Sequence, residues 1–125
     1  MKPSLLFLAL LVSTVSSPVL GQTAPSAQNG KVVFDKWCVA CHGAVAPSGG
    51  PFGFGGGGLP GTAALTVKYQ GKVPAVLEER TDLAPTYIRT VVRGGLFGMP
   101  MTRKTEVSDA ELEDVIAYLT RNRKP

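Results

Sequence analysis

The chain has little of what metal and redox sites are usually built from. Its 125 residues include two cysteines, one histidine and one tryptophan. Two cysteines and one histidine fall short of the four ligands of a structural zinc site. A metal held by the single histidine cannot take a second imidazole from the same chain. Charge is also sparse: charged residues make up 18% of the chain, and the formal net charge is +4, part of it from Lys2. The basic residues are scattered and not interleaved with aromatics, which argues against a nucleic-acid surface. There are no internal repeats, and no stretch after the N-terminal segment is apolar enough to span a bilayer.

The start of the chain, MKPSLLFLALLVSTVSSPVLGQT, has the layout of an export signal. Lys2 supplies the positive end, Leu5 to Val12 is an unbroken apolar run, Pro18 breaks it, and small residues precede Gln22. The run is short for a membrane span and no cysteine follows it, so residues 1–21 are expected to be a cleaved signal peptide rather than an anchor or a lipoprotein leader. Residues 22–28 form a polar, Pro-containing lead, expected to be flexible, and 29–125 a single small domain. The domain is expected in the periplasm, with no stable membrane span after cleavage.

Three segments carry a helical period. From Asn29 to about Cys38, Val33, Trp37 and Ala40 fall on one face. In LAPTYIRTVVRGG, Pro85 suits a first helical position, Ile88, Val91 and Val92 form a stripe, and Gly94 is a stop. Before the last segment Ser108 and Glu111 make a capping box, followed by Leu112, Val115, Ile116 and Leu119 at helical spacing, with cations from Arg121 to Lys124 at the end. Between the first two lies a Gly- and Pro-rich stretch, Gly43 to Thr62, which reads as loop. The following AALTVKYQGK is ambiguous between a helical turn and a strand. The fold class is therefore all-α, with three to four short helices and long loops. Helices this few and short bury too little by themselves, so a large planar apolar cofactor is expected to fill the centre.

WCVACHG, Trp37 to Gly43, holds both cysteines and the histidine. C-x-x-C-H is the spacing of covalent haem attachment. Cys38 and Cys41, three positions apart, reach the two vinyl groups on one side of a porphyrin, and His42 then comes under the iron as an axial ligand. A thioredoxin-like dithiol lacks its βαβ context here, and a structural disulfide over so short a loop would stabilise little. With no second histidine, a sixth ligand from this chain is expected to be a methionine sulfur. The candidates are Met99 and Met101 in GLFGMPMTRK, and Met99 is favoured because Pro100 holds its backbone extended. A thioether is a soft, neutral donor that favours ferrous iron, and a closed iron moves electrons rather than binding a small-molecule substrate.

With these segments on the page, the chain resembles the single-haem class I cytochromes c. GKVVFDKWCVACHG matches the N-terminal helix and haem motif, VPAVLEER the family's Gly-Pro-x-Leu segment, YIRTVVRGGLFGMP the helix and methionine loop, and VSDAELEDVIAYL the C-terminal helix. The resemblance implies a cytochrome c fold around covalently bound haem c and its iron. It implies a contact of Gly30 and Phe34 with Tyr118, a hydrogen bond from His42 to the Pro74 carbonyl, and Leu77 packed on the haem. Val73 departs from the family's glycine before Pro74. The Gly-rich insert, 49–61, is additional to the pattern, as a lid, a docking surface or a tolerated loop. Within the family the chain is similar to the cytochrome subunits of p-cresol methylhydroxylase-type flavocytochromes. That similarity implies an electron-transfer protein, not itself an enzyme, fed by a dehydrogenase (flavoprotein) partner. Arg103 and Lys104 are candidates to orient docking. The alternatives are a free-standing carrier to a terminal oxidase, a haem enzyme or gas sensor with open iron, and a thiol–disulfide oxidoreductase.

Overall fold

The structure, a computed structural model, describes residues 23–44 and 59–124. The expected signal peptide and most of the Gly-rich insert lie outside these residues. The described chain is all-α, as expected from its periodicity. Its helices are α1 (Ala27–Trp37), α2 (Val39–His42), α3 (Pro60–Tyr69), α4 (Pro85–Gly94) and α5 (Asp109–Thr120), with a single 3₁₀ turn at Leu77–Glu79 before α4. None of them is long and apolar enough to cross a membrane.

Helix α1 begins inside the segment expected to be a loose lead. The Ser26 hydroxyl accepts the Asn29 amide, and the Ser26 N–H donates to the Asp114 carboxylate at 2.6 Å, so the lead is tied both to its own helix and to α5. Helix α5 has the expected capping box: Ser108 accepts the Glu111 amide while the Glu111 carboxylate accepts the Ser108 N–H at 2.7 Å. Leu112, Val115, Ile116 and Leu119 are all buried on its inner face. Helix α4 starts on Pro85, as read from the sequence, and ends at Gly95 with φ of 74°, one residue after the expected stop.

Helix α3 is the main departure from the sequence expectation. The loop reading ran through Thr62, and no helix was assigned with any definition beyond it. A ten-residue helix occupies 60–69 instead. Its apolar residues do not line up as one stripe, and Val67 is exposed, so the period that reveals buried helices is absent. The boundaries are set chemically: Pro60 opens the helix and Gln70 closes it in the left-handed region, φ 49°.

The core is built mainly where α1 crosses α5. Phe34 is sealed from solvent, and its ring lies 5.8 Å from that of Tyr118, tilted by 55°. Gly30 makes this crossing possible. A Cβ there would collide with the Asp114 carbonyl and come within 2.8 Å of the Tyr118 Cβ. Leu83, Ile88 and Val107 extend the cluster toward α4 and the loop before α5. Helix α4 is also joined to α5 by the Arg89–Glu113 ion pair at 2.8 Å, an exposed contact of small energetic weight.

Two stability predictions follow from these contacts. Gly30→Ala would gain by helix propensity alone, but it must push α1 away from backbone atoms of α5. It is expected to lose about 1–3 kcal/mol in guanidinium unfolding, the usual cost of overpacking; wild-type stability would contradict the close crossing. Ser108→Ala removes the cap of α5 and is expected to cost about 1 kcal/mol in the same measurement.

Candidate functional site

Helix α1 stops at Trp37, and Cys38 caps it by donating its N–H to the Phe34 carbonyl at 2.8 Å. The chain then makes one further turn, α2, in which the amides of Cys41 and His42 both donate to the Cys38 carbonyl, at 3.1 and 2.9 Å. Both cysteines and the histidine therefore sit on one compact bend. Neither cysteine is in a disulfide; Cys38 is half-buried and Cys41 exposed. Burial, with a smaller contribution from neighbouring Cys41, pushes the Cys38 thiol up to about 11. A thiol this reluctant to ionise is poorly suited to thiol–disulfide exchange, which counts against the oxidoreductase alternative.

The His42 ring is half-buried, and desolvation lowers its pKa, favouring the neutral imidazole that can donate a lone pair to a metal. Its Nδ1 is enclosed and has no hydrogen-bond partner. The bond expected to the Pro74 carbonyl is thus not made. Pro74 is exposed, in the bend that follows α3. The segment that lies against His42 is the start of α3. A Cβ on Gly61 would fall 2.7 Å from His42 Nδ1. Sequence reasoning missed this residue because it was read as the tail of the Gly-rich loop. Pro60, a first-position helix proline, was the available signal.

The methionine loop is built by a tight turn. Leu96 and Met99 exchange both backbone hydrogen bonds, at 3.0 and 2.9 Å, with Phe97 at φ 50°. Gly95 has to be small here, because a Cβ would lie 2.8 Å from the Met99 carbonyl. Beyond the turn the Thr102 N–H donates to the Val92 carbonyl at 2.8 Å, near the C-terminal end of α4. The Arg93 side chain donates to the Thr102 carbonyl at 3.1 Å and to the Asp109 carboxylate at 2.9 Å. One side chain thereby joins α4, the loop and the first residue of α5. Met99 is half-buried, whereas Met101 is 62% exposed. Of the two candidate docking cations, Lys104 is paired with Asp109 at 2.7 Å, and Arg103 lies on the wall of the cavity described next.

These parts converge on one cavity of about 470 Å³. Cys38, Cys41 and His42 line it together with Met99, Pro100 and Met101, and its apolar wall comes from Val33, Trp37, Val92, Val107, Leu112 and Val115. A volume of this size, mostly apolar with a few polar groups, is that of a cofactor site. Leu77 packs against the core cluster and Pro74 stays in its bend; neither is on the cavity wall. The donor set fits haem c: two unpaired thiols on adjacent turns, an imidazole with an enclosed unpartnered nitrogen, and a half-buried thioether, all on one apolar space. Among the described residues no cluster of His, Cys, Asp and Glu competes as a site for a bare metal ion.

The family model described as cytochrome C oxidase, cbb3-type, subunit III matches residues 25–119, which takes in α1 to α4 and all but the last residue of α5. No curated protein and no solved structure matches the chain. The chain belongs to this family of cytochrome c domains: it is a class I c-type cytochrome, an electron-transfer protein whose cofactor is covalently bound haem c with its iron.

Proposed function

We propose that Cys38 and Cys41 are the two thioether tethers, that His42 and Met99 are the axial ligands, and that the protein passes electrons from a dehydrogenase to an acceptor in the periplasm. The observation that carries the ligand assignment is the shared cavity wall, on which the single histidine and both methionines lie, with Met99 half-buried and Met101 largely in water. When bound, the haem supplies one-electron chemistry at an iron that His42 and Met99 close to dioxygen and peroxide. The residues around it do the rest. Val33, Val92, Leu112 and Val115 give the cavity its apolar wall, the Leu96–Met99 turn presents the thioether, and Arg93 holds the loop that follows.

The dehydrogenase partner rests on the similarity of VPAVLEERTDLAPTYIRTVVRGGLFGMPMTRKTEVSDAEL to the cytochrome subunits of p-cresol methylhydroxylase-type flavocytochromes. Export rests on the Lys2–Leu5–Pro18 pattern of the leader. A second reading, delivery of electrons to a terminal oxidase by a free-standing carrier, shares its electron destination with the matching family, whose description is that of an oxidase subunit. Purification from the native host separates the two. A flavin-carrying protein that stays bound through gel filtration supports the first, and a haem protein eluting alone that reduces oxidase-containing membranes supports the second.

The ligand assignment has its own test. Met99→Ala is expected to abolish the weak sulfur-to-iron band at the red end of the ferric spectrum, lower the reduction potential and let the ferrous protein bind carbon monoxide. Met101→Ala is expected to leave all three unchanged. The reverse pattern would move the ligand to Met101, and carbon monoxide binding by the wild-type protein would favour an open-iron enzyme or sensor.

A further inference from the structure

The start of α3 packs against the C-x-x-C-H bend from outside the α1–α5 core. It does so at Leu59, Gly61 and Thr62. Leu59 reaches Gly43: a Cβ on that glycine would lie 3.4 Å from the Leu59 Cδ1. Gly61 lies close against the His42 ring and the backbone before it, so that a Cβ would stand 2.6 Å from Cε1, 2.7 Å from Nδ1 and 2.8 Å from the Cys41 carbonyl oxygen. Thr62 is buried, and its hydroxyl donates to the Gly43 carbonyl at 3.0 Å, with the Cys41 carbonyl a more distant alternative acceptor at 3.4 Å. The carbonyl that follows His42 in sequence is thus held from the same helix that packs against the ring.

We infer that the start of α3 is the positioning element for the His42 imidazole, with Gly61 limiting the rotation of the ring by direct contact and Thr62 fixing the backbone just after it. This rests on the assignment of His42 as an axial ligand. A four-residue helix such as α2 cannot hold a ring orientation by its own hydrogen bonds, since so short a helix is marginal without outside support. The enclosed Nδ1 has no hydrogen-bond partner to fix the ring's rotation either. What remains is steric: the ring cannot turn into α3. Propensity gives no reason for glycine at this place, because alanine is the better helix former. It is the close approach to His42 that demands it.

The test compares ferric holoprotein of the wild type, Gly61→Ala and Gly30→Ala by proton NMR of the hyperfine-shifted haem methyl resonances, which report the orientation of the axial ligand planes, together with redox and thermal titrations. Gly30→Ala, which strains the α1–α5 crossing away from the ring, is expected to lower the thermal midpoint while keeping the wild-type methyl pattern. Gly61→Ala is expected to redistribute the methyl shifts and move the potential. A wild-type methyl pattern in Gly61→Ala overturns the inference and leaves the ligand assignment standing. If Gly61→Ala yields no holoprotein, Thr62→Val decides. It keeps the side-chain volume but leaves the buried Gly43 carbonyl without its donor, so a smaller shift in the same direction is expected, and an unchanged pattern overturns the inference. Wild-type protein without the signature of a histidine-ligated low-spin haem refutes the ligand assignment itself.

Discussion

The close approach of α1 to α5 at Gly30 is the constraint on which the remaining architecture depends. The two helices come from opposite ends of the domain, and each carries part of the cofactor site outward from the crossing. On either side of Phe34, α1 supplies Val33 and Trp37 to the cavity, and it then leads into the bend with Cys38, Cys41 and His42. At the other end, α5 supplies Leu112 and Val115 and is preceded by the loop that bears Met99. Fixing the crossing therefore fixes how the two walls of the cavity face each other, although they are far apart in sequence.

Such an arrangement also explains why a small chain tolerates so much loop. Phe34 is the largest side chain among the described residues that is sealed from solvent, so the peptide core by itself is modest. Two of the exposed apolar side chains, Trp37 and Met101, line the cavity beside the buried Val33, Val107, Leu112 and Val115, and a bound haem would cover this wall. Hydrophobic stabilisation scales with apolar area removed from water, so a cofactor seated there would add to the core that the helices form alone. Folding and cofactor binding are in this sense one problem.

The parts of the fold that were legible in the sequence are those whose local chemistry and tertiary role agree. Ser108 and Glu111 announce α5 because the cap they form is local, and its apolar stripe faces the core at the expected period. Pro85 announces α4 for the same reason. The haem motif is legible because thioether and axial chemistry demand fixed spacing. Helix α3 was not, since it buries little apolar surface and its contact with the site is made by a glycine and a threonine. Neither residue type advertises a role when it adjoins a low-complexity run. The bond to the Pro74 carbonyl was expected from the likeness of VPAVLEER to the family's Gly-Pro-x-Leu segment, which carries no information on the helix that stands against His42 instead. The lead was also misjudged, because the bond from Ser26 to Asp114 joins residues that no local pattern relates.

The carboxylate of Asp109 receives both Arg93 and Lys104, one from the end of α4 and one from the loop after the methionine turn. Because Arg93 also donates to the Thr102 carbonyl, three pieces of chain meet at a single point. Asp109 lies in water, so each of these contacts is of small weight, but all of them tie the methionine loop to helices on either side of it in sequence. On the ligand assignment proposed above, an exogenous ligand that displaced the sulfur would disturb a loop sharing its attachments with α4 and α5.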